Sequence, residues 1–127
     1  LKSVPAAYPA LMRAQKIQKR AKKAGFDWDD VDGALKKLDE EINELKAAVA
    51  EGNDSHIFEE YGDLLFSAVN VSRFLKIDSE QALNGATNKF VSRFEKVENL
   101  ANQKGIDMKS STLETLDKLW DEAKTCE

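Results

Sequence analysis

Apolar positions recur along this chain at three- and four-residue intervals, the pattern of helices that bury one face. Val31, Leu35, Leu38, Ile42, Leu45 and Val49 make one stripe, and Ile57, Tyr61, Leu64, Ala68 and Leu75 make a second. A polar break at Gly52-Asn53-Asp54 lies between them. The spacing therefore predicts helices from Val31 to Glu51 and from Ser55 to Leu75, folded back on one another. Earlier, Ala10, Ala14, Ile17, Ala21 and Ala24 predict a helix that starts behind Pro9 and stops at Gly25, after an arm formed by residues 1–9. Later, Leu83, Ala86, Phe90, Phe94, Val97 and Ala101 predict a long helix from Glu80 to Gln103, capped by Asp78 or Ser79. Ser111 and Glu114 have capping-box spacing for a short last helix to Lys124, with Leu113, Leu116, Trp120 and Ala123 facing inward. The loop Phe26-Asp27-Trp28-Asp29-Asp30 supplies an Asp cap for the helix that follows, and Trp28 is expected to fill core space in preference to serving as a ligand platform. The fold class is all-α.

The polar positions of the central pair of helices change the picture. Glu41 and Glu44 stand three residues apart, as do Glu60 and Asp63, and residues at that spacing are neighbours on a helix face. Measured from Leu38, Glu41 lies at roughly −60° and Glu44 at roughly −120°; measured from Leu64, Glu60 lies at roughly −40° and Asp63 at roughly −100°. Each pair starts at the rim of its apolar stripe and runs outward on the same flank, whereas Glu40 faces away. Folding the helices together brings four carboxylates toward one another, and repulsion among them calls for a cation. A hard divalent ion with oxygen preference fits, Mg²⁺ first. The plain alternative is a solvated Glu-rich face on a non-catalytic helical interaction module. His56, the only histidine, reads as a surface residue, and without paired Glu-x-x-His motifs a di-iron bundle is set aside.

Candidate cations lie elsewhere. Lys89 and Arg93 stand one helical turn apart, a spacing able to grip neighbouring phosphates as well as to sit solvated on a surface. The first helix carries Arg13, Lys16, Lys19, Arg20, Lys22 and Lys23 and no acid. Trp120 can pack or stack on a base, and its period favours packing.

Composition narrows the classes. A chain of 127 residues with 33% charged residues and only 6 Gly and 2 Pro reads as a single helical domain, residues 1–127. A net charge of −4 speaks against a protein that coats nucleic acid. The one cysteine, Cys126, permits no internal disulfide, which suits a reducing cytoplasm. No apolar run approaches the roughly 18 residues of a membrane span, so no membrane partner is expected. Because Leu1 rather than Met opens the chain, a fragment of a longer product is expected.

Read together, LDEEINEL at 38–45 and EEYGDLLF at 59–66 resemble the metal motif of the MazG family of nucleoside triphosphate pyrophosphohydrolases, EExxE followed by ExxD. PALMRAQKIQKRAKKAGFDW at 9–28, NKFVSRFEKVE at 88–98 and LWDEAK at 119–124 are similar to the same family, so the resemblance covers nearly the whole chain. It is to the second, catalytic half of two-domain bacterial members, as a stand-alone protein or that half alone.

The resemblance implies Mg²⁺ ligands at Glu41, Glu44, Glu60 and Asp63, which serve catalysis, with Mn²⁺ able to substitute. It implies phosphate contacts at Lys89, Arg93 and Lys124 and an aromatic near the nucleotide at Trp120. It further implies a four-helix-bundle core completed by homodimerisation, with assembly to tetramers in some members. The implied reaction is hydrolysis of an NTP or dNTP to the monophosphate and pyrophosphate, in nucleotide-pool house-cleaning. One carboxylate is expected to double as general base, Glu41 first. A related substrate on the same fold, dUTP, dCTP or phosphoribosyl-ATP, stays open.

Overall fold

The structure is a computed structural model that describes residue 1 and residues 3–126. It contains five α-helices and no strand among those residues: α1 (Ala10–Lys23), α2 (Val31–Glu51), α3 (Asp54–Phe74), α4 (Ser79–Gln103) and α5 (Leu113–Thr125). The all-α expectation holds, and the helix limits fall within one or two residues of those the periodicity predicts. The chain forms two compact units, the first ending at Ala82 and the second beginning at Leu83.

In the first unit, Asp30 caps α2 by accepting from Gly33 N, and Asn53 caps α3 by accepting from His56 N. Gly52 ends α2 at φ 76°, a left-handed conformation that costs glycine little, and two residues are enough to reverse the chain. Helices α2 and α3 consequently pack along their lengths as a hairpin, and α1 lies on α3. A small polar network ties α1 to the corner after α3. Gln15 Nε2 donates to Ile77 O at 3.0 Å, Ser79 N donates to Gln15 Oε1 at 3.0 Å, and Leu11 N donates to Glu80 Oε1 at 3.1 Å. Asp78 supplies the α4 cap, accepting from Gln81 N.

The buried faces differ from the apolar stripes. On α2 the fully buried residues are Ala34, Glu41 and Ala48, spaced by sevens on one line. Leu35 and Val49 of the apolar stripe stay 43% and 58% exposed. On α3, Ser67 and Asn70 are buried while Tyr61 and Leu75 of the stripe are more than half exposed. The helices are thus turned by roughly 60° from the expected contact. Small alanines and short polar residues let the backbones approach, and the larger apolar side chains are left at the margin.

The second unit follows its apolar pattern at the end of α4 and along α5. Val97, Ala101, Leu119 and Ala123 are buried together, with Leu100, Ile106, Met108, Leu116 and Trp120 packed around them. The first part of the α4 stripe fails, since Leu83, Phe90 and Phe94 are 54%, 56% and 39% exposed and Ala86 is exposed too: the core reaches only the last turns of α4. Two expectations at α5 fail as well. Leu113 is 74% exposed, because it lies in the first turn of α5 beyond the reach of that core. The cap of α5 is Thr112, which accepts from Thr115 N at 3.2 Å, in place of the Ser111–Glu114 box. Ser111 is occupied otherwise: its Oγ donates to Asp107 O at 2.7 Å and closes a 3₁₀ turn at Met108–Ser110.

Candidate active site

Glu41 from the middle of α2 meets Glu60 and Asp63 from the first half of α3, with one carboxylate oxygen of each within 4.8 Å of the others. Glu41 was placed at the rim by helical angle; the rotation of α2 puts it on the buried line, where it is only 5% exposed. Its Oε1 accepts from Lys37 Nζ at 3.0 Å. That ion pair raises the Lys37 pKa above the ordinary lysine value, through the hydrogen bond and the charge of Glu41. The second oxygen of Glu41, like Oε2 of Glu60, is buried with no hydrogen-bond donor. A buried carboxylate oxygen left without a donor costs about 1–3 kcal/mol or more, so two such oxygens on residues of one cluster favour a cation there.

Asp63 completes the cluster from a more open position. Its pKa is raised above the ordinary aspartate range, first by burial and then by the charges of Glu41, Glu60 and Glu59. Glu44 lies exposed one turn beyond Glu41. The charge of Glu41, and then contact with the carboxyl of Glu60, push its pKa above the ordinary glutamate range. Three of the four expected ligands therefore converge, and the fourth stands beside them through Glu60. Oxygen donors in this number suit a hard divalent cation and offer nothing to a soft one.

Around this cluster the structure adds residues that periodicity left unmarked. His56 is half-buried and engaged on both ring nitrogens: Nδ1 lies 2.8 Å from Glu51 Oε2 and Nε2 lies 3.2 Å from Glu60 Oε1. The bond to Glu51, set against slight desolvation and aided by Glu60, raises the His56 pKa. Lys37 sits one turn before Glu41, a spacing that could have marked it as a partner. Trp28 departs from the core role expected of it, being 39% exposed. Arg73 holds the loop that carries it: Nη2 donates to Asp27 Oδ1 at 2.8 Å, and Nε donates to Asn70 Oδ1 at 2.9 Å. Burial works against the Asp27 charge, but the Arg73 bond, the Trp28 backbone N–H and the nearby cations outweigh it and lower the Asp27 pKa.

The expected phosphate and base contacts all belong to the second unit. Lys89 and Lys124 are exposed on α4 and α5. The Arg93 guanidinium lies 5.6 Å from the Trp120 ring centroid, and that ring packs against Phe90 at 5.3 Å. Trp120 is half-buried at the edge of its core, in keeping with the packing role its period favours.

A family model described as the MazG nucleotide pyrophosphohydrolase domain matches residues 29–98, which include Glu41, Glu44, Glu60, Asp63, Lys89 and Arg93. The nucleoside triphosphate pyrophosphohydrolase/pyrophosphatase MazG of Thermotoga maritima is 47% identical over 116 residues, 91% of this chain and 44% of its own. The nucleoside triphosphate pyrophosphohydrolase of Escherichia coli K12 is 42% identical over 126 residues, 98% of this chain and 48% of its own. The chain thus spans about half the length of these curated relatives. With a matching family model over more than half its length, and with the acidic cluster inside the matched residues, the chain belongs to the MazG nucleotide pyrophosphohydrolase family.

Proposed function

We propose that this protein is a Mg²⁺-dependent nucleoside triphosphate pyrophosphohydrolase, converting an NTP or dNTP and water to the monophosphate and pyrophosphate. The observation that carries this reading is the convergence of Glu41, Glu60 and Asp63, with two buried carboxylate oxygens that lack donors. The relatives named for this activity support it. These three residues, with Glu44 at the open side, would hold the ion. A bound Mg²⁺ supplies a polarised phosphate and an acidified water at neutral pH.

The remaining work falls to the protein. Water adds to the α-phosphorus, the α–β P–O bond breaks, and pyrophosphate leaves while a carboxylate takes the water's proton. Glu41 is already engaged by Lys37, whereas Glu44 is exposed, so Glu44 is the better placed general base than the Glu41 expected from sequence. Lys89, Arg93 and Lys124 would neutralise phosphate charge, and Trp120 would lie near the nucleotide. Assembly is part of the reading. Phe58, Tyr61, Leu65, Leu35 and Val49 are 83%, 53%, 43%, 43% and 58% exposed, an apolar margin that suits a second copy of the chain in a homodimeric four-helix bundle. A single functional domain acting in nucleotide-pool house-cleaning in the cytoplasm completes the proposal.

Pyrophosphate release from a panel of canonical and modified NTPs and dNTPs, with Mg²⁺, Mn²⁺ or EDTA, tests the reaction. Metal-dependent release with monophosphate as co-product is expected. Silence across the panel from folded, dimeric protein would sink the reading in favour of a non-catalytic helical module.

A further inference from the structure

The outer face of α1 carries a group of cations that the acidic cluster does not engage. Lys16, Lys19, Arg20 and Lys23 follow one another at i, i+3, i+4 and i+7, the spacing of a single helix face. By helical angle they lie roughly 160° round α1 from Ile17, Gln18 and Ala21, which line the cavity beside Glu41 and Asp63. Helix α1 contains no acid, and no ion pair among the described residues engages any of the four. Lys22, by contrast, lends its charge to Asp27.

The N-terminal arm turns this face into a pocket. The arm is folded by two turns, in which Val4 N donates to Leu1 O at 3.1 Å and Tyr8 N donates to Pro5 O at 3.4 Å. Buried Val4 seats it. Arg20 Nη1 donates to Ser3 Oγ at 2.6 Å, and Lys16 Nζ lies 5.6 Å from the centroid of the Tyr8 ring. Arm and helix together enclose about 200 Å³, lined by all four cations and by no carboxylate.

The helix dipole accounts for Arg20 and Lys23, which stand in or next to the last turn of α1. It does not account for Lys16 and Lys19, which lie further back. Lys16 with Arg20 and Lys19 with Lys23 are like-charged i, i+4 pairs, which repel. An anion in the pocket would relieve both pairs at once. Size then selects its class. Sites for drug-sized molecules begin at roughly 300 Å³, so this pocket has no room for a base with its sugar. The four cations spread along about 10 Å of helix, further than one phosphate group reaches. A chain of two or three phosphates can meet them together, with the lysines as point charges and Arg20 as a fork.

We infer that the pocket between the N-terminal arm and α1 is an accessory anion site for a short phosphate chain, held by Lys16, Lys19, Arg20 and Lys23. The chain is either inorganic or the phosphate tail of a nucleotide whose base stays outside in water. Arg20 serves twice, tying down Ser3 with one N–H group and offering others to the ligand. The carboxylates of the acidic cluster take no part, so the site stands or falls separately from the pyrophosphohydrolase reading.

The test is isothermal titration calorimetry with orthophosphate, pyrophosphate, tripolyphosphate and ATP, in EDTA and at low ionic strength, where exposed charges are least screened. Saturable binding is expected, tightening about tenfold or more from orthophosphate to tripolyphosphate. Lys19→Ala/Lys23→Ala should weaken tripolyphosphate about tenfold, and Ser3→Ala, which frees the arm, about threefold. Two controls should stay within about twofold of wild type: Lys36→Ala/Lys46→Ala, which removes the same charge from exposed positions of α2, and Lys89→Ala/Arg93→Ala. ATP binding as tightly as tripolyphosphate would identify the ligand as a nucleotide tail, and much weaker ATP binding would identify a free inorganic chain. No saturable binding to the wild type, or an equal loss in the Lys36→Ala/Lys46→Ala control, would overturn the inference. So would a loss confined to Lys89→Ala/Arg93→Ala, or wild-type binding in Ser3→Ala, which would leave an open cationic face in place of a pocket.

Discussion

The two compact units bury opposite kinds of side chain. In the second, the buried residues are Val97, Ala101, Leu119 and Ala123, all apolar. In the first, Gln18, Glu41, Ser67, Asn70 and Ser72 are buried beside Val4, Ala34, Ala48, Val69 and Val71, while both units leave larger apolar residues exposed. Every buried side-chain N or O atom without a partner among the described residues is an acceptor of this first unit: Gln18 Oε1, Glu41 Oε2 and Glu60 Oε2. A core built for stability alone would have filled these positions with apolar groups at lower cost. The second unit is organised by the hydrophobic effect, and the first by what it must hold.

That contrast can be broken by substitution. The largest effect is expected for Glu41→Gln and Asp63→Asn, which should cut pyrophosphate release by roughly 10²–10⁴-fold while thermal unfolding in EDTA stays close to wild type. Wild-type turnover in either variant would show that the carboxylates are structural. Asp27→Ala comes next. It leaves Arg73, whose side chain is 6% exposed, without its anion, and should cost about 3–5 kcal/mol in urea unfolding followed by Trp28. Leu119→Ala should cost about 2–5 kcal/mol by leaving a cavity among apolar neighbours, and Trp120 should report it. A loss in Leu119→Ala no greater than that of an exposed-site control would mean the second core is too loose to be the apolar counterpart described above.

The smallest effect is one of pH. Because the Asp27 pKa is lowered in the fold, the unfolded chain binds the proton more readily. The stabilisation is therefore complete above the ordinary value of 3.8 and is lost as pH falls through the lower folded value. Acid unfolding of the first unit should shift accordingly, and Asp27→Asn should remove that part of the pH dependence. An unchanged acid limb in Asp27→Asn would assign the acid sensitivity to other carboxylates.

The same contrast explains what was legible in the sequence. Helix existence and limits follow from local signals such as Asp30, Gly52 and Asp78, and the structure keeps them. The second core follows period, since Val97, Ala101 and Ala123 are apolar where the stripe requires it. The first unit's buried line was misread because period reports where apolar residues lie, and here the line through Ala34, Glu41 and Ala48 contains a carboxylate. The four acidic residues were found by spacing and by resemblance to a family motif. Asn70 and Arg73 stand three apart but carry no acidic pattern, and the pairings of Gln18 with Phe66 and of Arg73 with Asp27 span up to 48 residues of chain. Ser111 was mistaken for a cap because Thr112 offers the same hydroxyl one residue later.

The two-residue connection between α2 and α3 has a bearing on how this chain can vary. Glu51 closes one helix and Asp54 opens the next, with Gly52 and Asn53 alone between them. A tight joint of this kind acts as a phase lock. One residue added at the start of α3 would turn everything behind it by about 100°, carrying Glu60 and Asp63 away from Glu41 while each helix remained a good helix. Asn53 could change to another capping residue at small cost. Indels are therefore filtered at this joint far more severely than substitutions, and the spacer's length is as much part of the acidic motif as its side chains are.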